Sequence, residues 1–179
     1  PLYSSAASDV YKRQTYIYGP GNYNPIERWF FDRIVNDRPV PLPGDGSTIT
    51  QLGHVEDLAE AMARCIDVDT AANRIYNCSG QQGVSFKGLI EAAAVACGKD
   101  PKAIEMRRFD PSGLDPKARK AFPLRLNHFL TDITRVQREL AWQPSFDLAS
   151  GLADSYQNDY ALSPTSVPDF SSDAQLIGA

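Results

Sequence analysis

The sequence predicts an α/β layer architecture. Three observations carry that expectation. Strand-like and helix-like segments alternate from residue 15 to residue 98. The strand-like pieces are short and rich in β-branched and aromatic residues. Most of them are followed by a turn built on Gly, Pro or Asp. One compact core fits 179 residues, of which 42% are hydrophobic and 22% charged. Mean hydropathy is -0.34, and no apolar run approaches the ~20 residues of a membrane span. The formal net charge of -4 gives no overall attraction to nucleic acid or anionic lipid, although a local patch can still provide one.

Residues 1–14 lack any hydrophobic period and any apolar stretch long enough for a signal peptide. Their wording resembles translated adapter sequence, so they are expected to lie outside the fold, and the chain is expected to begin inside a longer protein. Thr15-Tyr16-Ile17-Tyr18 reads as a strand running into Gly19-Pro20-Gly21-Asn22. In an open parallel sheet that loop would lie where ligands bind, beyond the carboxyl end of the strand. A plain strand–turn–helix junction accounts for the same spacing. Ile26, Trp29, Phe30 and Ile34 then fall at helical spacing, with Pro25 suited to the entry. Val40-Pro41-Leu42-Pro43 can be at best an edge strand, because two of its residues lack an N–H.

Thr48 to Leu52 reads as the next strand, and His54-Val55-Glu56-Asp57 opens a helix with Val55, Leu58, Ala59, Met62 and Ile66 on one face. Glu56 and Asp57 complement the dipole of its first turn. Ile75–Cys78 is a strand, Ser85 an N-cap, and Phe86, Leu89, Ile90, Ala93 and Cys97 a buried helical stripe ending at Gly98. Beyond it come an alternating segment from Ile104 to Phe109 and a charged stretch from Asp110 to Phe122. Helices are expected after Thr131 or Asp132 and after Asp147. Residues 162–179 hold no Lys or Arg and are rich in Ser, Pro and Asp, which predicts a mobile or surface-draped tail. The expected divisions are 1–14, 15–98, 99–161 and 162–179.

Little in the sequence names a chemistry. The three cysteines lack metal-ligand spacing and read as reduced thiols. His54 and His128 are the only histidines, and a capping or packing role suits His54. No P-loop, glycine-rich dinucleotide loop, Gly-x-Ser-x-Gly or Tyr-x-x-x-Lys couple is present. Residues 99–138 hold ten Lys/Arg against five acids, inside an acidic chain. Phe109, Phe122, His128 and Phe129 are interleaved with these cations. Such a pattern can follow a phosphate backbone and stack bases, or it can be a solvated face over core aromatics.

Four motifs recur in this order in one superfamily: Tyr18-Gly19-Pro20-Gly21, His54-Val55-Glu56-Asp57-Leu58-Ala59, Ile75-Tyr76-Asn77-Cys78-Ser79-Gly80 and Glu139-Leu140-Ala141-Trp142-Gln143-Pro144. Together they resemble the C-terminal half of the NAD-dependent epimerase/dehydratase group of extended short-chain dehydrogenases/reductases. Tyr16 to Pro25, Trp29-Phe30-Phe31, Gln51 to Val55, Lys120 to Arg125, His128-Phe129 and Pro168 to Asp173 are similar to the stem-loop-binding branch of chloroplasts and cyanobacteria. The resemblance implies the last parallel strands and helices of a Rossmann fold plus a small α/β substrate lobe.

It also implies that Tyr18, Gly19, Pro20 and Gly21 face the nicotinamide end of a dinucleotide, and that Tyr16, Asn22, Thr50 and His54 belong to the substrate lobe. An intact parent would carry NAD(P), whereas this stretch alone is not expected to bind it. Sugar-nucleotide epimerases commonly have Asn at the place of Tyr16 and Arg at that of Thr50. Those groups hold the nucleotide-sugar, so their replacement speaks against that chemistry. The stem-loop-binding branch implies an RNA partner, a homo- or hetero-oligomeric assembly, and the chloroplast stroma or cyanobacterial cytoplasm. Arg107, Arg108, Lys117, Arg119, Lys120 and Arg125 are the expected RNA contacts. The branch also implies a metal-dependent endonuclease, but no acidic cluster here matches a metal site, and none is assigned. The competing expectation is an NAD-dependent nucleotide-sugar epimerase or dehydratase lobe. Loss of upstream strand neighbours predicts a poorly stable piece with Ile17, Trp29 and Phe30 exposed.

Overall fold

The computed structural model describes residues 11–116, 118–163 and 168–178. In chain order these residues form β1 (Tyr11–Gln14), β2 (Tyr16–Tyr18), α1 (Ile26–Val35), β3 (Val40–Pro43), β4 (Ile49–His54), α2 (Val55–Asp67), β5 (Ile75–Cys78), β6 (Gly83–Ser85), α3 (Phe86–Ala96), β7 (Met106–Phe109), α4 (Thr134–Leu140), α5 (Leu148–Asn158) and α6 (Ser171–Ile177). The α/β alternation read from the sequence is present.

The strands make three small sheets. β1 pairs in parallel with β5, β2 in parallel with β4, and β3 in parallel with β7, while β6 runs antiparallel on the other edge of β4. Thr15, between β1 and β2, is where the chain changes neighbour. Its hydroxyl lies 2.5 Å from that of Ser79 at the exit of β5. Gly80 N–H then donates to Leu52 O at 2.9 Å, which ties that exit to β4.

The backbone of Tyr11–Gln14 corrects the expectation that residues up to Gln14 stay outside the fold. In-register pairing with Ile75–Cys78 gives it ladder partners that no side-chain pattern announces.

β3 is fully buried yet still an edge, as its prolines demand. Val40 N–H donates to Glu105 O and Gly44 N–H to Phe109 O, so donors face β7 at even steps. Pro41 and Pro43 fall between those steps, where a missing N–H costs nothing. β7 comes from beyond residue 98, so the segments on either side of that point interleave in space.

The larger core gathers α1, α3, α5 and the β3–β7 pair around Phe30, Phe31, Phe86, Phe109 and Phe122. Phe122 meets Trp29, Phe30, Phe86 and Phe109 edge-on at 5.3–6.3 Å between centroids. Phe30, expected to be exposed, is 1% exposed because Phe122 folds back over it. A second, smaller core holds Ala61, Tyr76, Val136, Leu140 and Trp142, between α2, β5 and α4. Here the apolar face of α2 is only partly covered: Met62 is 41% and Ile66 76% exposed.

The tail also departs from expectation. Residues 171–177 form α6, whose Asp173 reaches Arg33 on α1 at 2.6 Å with both side chains almost fully buried. Arg33 also donates to Trp29 O at 2.8 Å and lies 3.6 Å over the Trp29 ring. A segment with no cation of its own is therefore held by cations elsewhere in the chain. Leu176, 5% exposed, completes the contact.

Candidate functional site

The Tyr18–Gly21 loop sits at the carboxyl end of β2, beside the end of β4. Gly19 has φ +120°, and a Cβ there would stand 2.8 Å from both His54 Nε2 and Val55 Cγ1. Only glycine satisfies both the backbone and the space. The Gly19 N–H donates to Glu27 Oε1 at 2.9 Å, and the Ser155 hydroxyl donates to the same oxygen at 2.6 Å. Glu27 is 3% exposed and its Oε2 has no hydrogen-bond partner. Burial pushes its carboxyl above the usual range, against the lowering effect of Ser155 and Gly19.

His54 is buried at the join between β4 and α2. Its Nδ1 accepts from Glu56 N–H at 3.4 Å, capping α2, and its ring stacks on Phe146 with centroids 3.8 Å apart. His54 Nε2 lies 3.2 Å from Asp154 Oδ2 but off the direction of a hydrogen bond, so the contact is one of proximity. Tyr18 stands edge-on to His54 and donates to Asp147 O at 3.4 Å. Burial raises the Tyr18 phenol well above its usual value, with the Asp57 carboxylate adding to the shift. A Cβ at residue 151 would run into the Tyr18 hydroxyl, which explains Gly151 on α5. A cleft of about 420 Å³ opens beside this group, between Tyr18, Leu52, the Gly80–Gly83 turn and Phe146–Leu148.

The other expected site residues lie elsewhere. Asn22 is engaged within its own loop, donating to Ile17 O at 2.6 Å and Asn24 O at 3.1 Å. Thr50 is 1% exposed, with its hydroxyl buried and unpartnered. Tyr16 accepts the Arg125 N–H at 2.6 Å and meets Phe129 edge-on at 5.7 Å. Burial raises its phenol, although Arg125 opposes the shift.

Arg107, Arg108, Arg119, Lys120 and Arg125 are exposed, whereas Lys117 lies outside the described residues. Arg107 is paired with Glu105 at 2.7 Å. The interleaved aromatics divide: Phe109 and Phe122 are core, while Phe129 is half-buried beside Arg125. No cluster of three or more His, Cys, Asp or Glu among the described residues could hold a metal.

Asp57, read from sequence as a helix-dipole partner, has a larger part. Its carboxylate accepts Ser145 N–H at 2.7 Å and Phe146 N–H at 3.3 Å, while its carbonyl accepts Trp142 Nε1 at 3.0 Å. It thereby sets the Phe146 ring against His54. Gln51 likewise donates to Gly80 O at 2.7 Å and accepts Thr131 N–H at 2.8 Å. Glu27, Asp57 and Gln51 carry no spacing signal, because several of their partners lie 29–128 residues away.

The mixed α/β arrangement, with a Tyr-Gly-Pro-Gly loop at a strand's carboxyl end, points to a class. Residues 9–79 match the model of the NAD dependent epimerase/dehydratase family, which places that stretch in the superfamily. Within it, the chain is 44% identical over 149 residues to the chloroplast stem-loop binding protein of 41 kDa b from Arabidopsis thaliana. That match covers 83% of this chain and 39% of the relative. A dTDP-glucose 4,6-dehydratase from Streptomyces griseus is 31% identical over 76% of this chain and 38% of its own length. The chain thus spans about two fifths of the curated relatives it matches.

Among solved structures, UDP-glucuronic acid 4-epimerase from Bacillus cereus in complex with NAD superposes with a TM-score of 0.67 at 17% identity, over 86% of this chain and 45% of that one. That likeness concerns the fold. In the Tyr18–Asn22 loop, the Gly19, Gly21 and Asn22 N–H groups donate to Glu27, Asp159 and Gly19 O.

Proposed function

We propose that this chain is part of a stem-loop RNA-binding protein on an epimerase/dehydratase scaffold, in which the Rossmann-derived frame holds an RNA face. The observation that carries the reading is the 44% identity to a stem-loop binding protein. The placement of cations supports it. Arg108, Arg119, Lys120 and Arg125 are exposed, and none has a carboxylate within ion-pair distance among the described residues. Together with Arg107 they belong to the β7 to Phe129 stretch, whose buried residues Phe109, Phe122 and Leu124 anchor it in the larger core. Phosphate contacts of this kind position a nucleic acid without reading its sequence. Tyr16 and Thr50 stand where the superfamily commonly places nucleotide-sugar ligands, and neither can replace an arginine on a diphosphate. The chloroplast relative favours a stromal protein, and an intact parent would supply any NAD(P) site.

The test is a salt titration of stem-loop RNA binding by this chain and, in parallel, by the gene product that carries it. Phosphate-dominated binding falls linearly in log salt, with a slope of about -0.7 to -0.9 per phosphate neutralised. Neutralising Arg107, Arg108, Arg119 and Lys120 to Gln is expected to flatten that slope and weaken binding. Saturable binding of UDP-glucose with no RNA binding would return the protein to nucleotide-sugar chemistry, the reading favoured by the dehydratase relative.

A further inference from the structure

Among the described cations of residues 99–138, Arg125 is set apart by an aromatic partner. Arg107 is paired with Glu105, Lys99 with Asp37, and both Arg135 and Arg138 with Glu139. Arg125 instead lies with its guanidinium carbon 4.6 Å over the Phe129 ring. Its backbone is fixed, because its N–H donates to the Tyr16 hydroxyl and the preceding Leu124 is 4% exposed. Phe129 is fixed as well. Its N–H donates to Ile49 O at 2.9 Å, and the neighbouring His128 Nδ1 accepts Ile49 N–H at 3.0 Å. Tyr16 braces the Phe129 ring edge-on. The result is a braced stack of Tyr16, Phe129 and Arg125. Arg125 is exposed, and the Phe129 ring beside it is half-buried.

We propose that the Phe129–Arg125 stack is a platform for an unpaired nucleobase, a role that rests on the RNA reading above. A guanidinium is planar and weakly hydrated, so a base can lie flat on one face while the ring supports the other. Bases inside an A-form stem are stacked on one another and present only their edges, so the platform selects a base from the loop. The exposed cations at 107, 108, 119 and 120 then hold phosphates, and Arg125 with Phe129 holds a base. The same nucleobase chemistry is offered by a free nucleotide, and the experiment separates the two sources.

The probes are a hairpin RNA with 2-aminopurine in its loop, a blunt duplex of the same stem, and uridine monophosphate. Arg125→Lys keeps the charge and removes the plane, Phe129→Leu removes the ring, and Phe129→Tyr keeps it. For the unaltered protein, tighter binding of hairpin than duplex and quenching of the 2-aminopurine are expected. Arg125→Lys and Phe129→Leu should each lower hairpin affinity about tenfold, the scale of one lost base stack, and abolish the quenching. Duplex affinity and the salt slope should not move, and Phe129→Tyr should restore the hairpin preference. An unaltered protein that binds no RNA overturns the RNA reading and the platform with it. RNA binding without a hairpin preference overturns the platform alone, as does full hairpin affinity in Arg125→Lys. Uridine monophosphate binding that Arg125→Lys abolishes, with hairpin affinity intact, assigns the stack to a free nucleotide and overturns the proposal.

Discussion

The two cores of this molecule answer the same sequence pattern differently. α1 and α2 both carry apolar residues at helical spacing. On α1, Phe30, Phe31 and Ile34 are buried to 1% or less, because α3, α5 and Phe122 close over them. On α2, only Asp57 and Ala61 are buried, and Met62 and Ile66 face outward. β5 shares the deficit, with Ile75 45% exposed. A periodic stripe shows that a helix has an apolar face, but it does not say that a second layer is present to cover it. The larger core is complete within this chain, whereas the smaller one is covered on one side. The exposed cations of the RNA reading lie on a stretch that Phe109, Phe122 and Leu124 anchor in the larger core.

Substitutions can break or sharpen that contrast. Phe122→Ala removes the ring that four other aromatic residues pack against, and about 3–5 kcal/mol of stability should go with it in urea denaturation. Arg33→Ala leaves Asp173 buried without its main partner and should cost about 3 kcal/mol or more, with α6 released to proteolysis. A loss under ~0.5 kcal/mol for Arg33→Ala would place α6 outside the complete core. Gly19→Ala forces a Cβ against His54 at positive φ and should cost about 1–3 kcal/mol.

In the smaller core, Trp142→Phe removes the indole donor to Asp57 O and should cost about 1 kcal/mol. Ile66→Glu is expected to change stability by less than ~0.5 kcal/mol, since the residue is 76% exposed. A large loss there would mean that the α2 face is covered in solution.

Glu27 adds a dependence on pH. Burial holds its folded-state carboxyl above the ordinary Glu value, so between the two values the folded state holds a proton that the unfolded chain has released. Its contribution is most favourable below the ordinary value and declines as pH rises through the folded-state range. Glu27→Gln should flatten this decline, which thermal melts across acidic to neutral pH will show.

Much of the fold was legible because it is local. The start of α1, the Ile75–Cys78 strand, the Ser85 cap and the helix after Asp147 all follow from spacing and end residues. Two features were not legible, because their partners are distant. Tyr11–Gln14 is a strand only through its pairing with β5, and α6 is docked through Asp173 on Arg33, 140 residues away. The candidate site divides in the same way. The Tyr18–Gly21 loop and the charge of the basic stretch could be read directly. The Glu27 acceptor, the Asp57 tie to Phe146 and the Arg125 stack on Phe129 required the chain to be folded.

Hydrogen exchange in the presence and absence of stem-loop RNA tests the central claim most directly. The account predicts that RNA slows exchange on the complete core, from β7 through Phe129, and leaves α2 and the Tyr18–Asn22 loop unchanged. Protection confined to the Tyr18–Asn22 loop and the Gly80–Gly83 turn, raised by UDP-glucose and not by RNA, would contradict it.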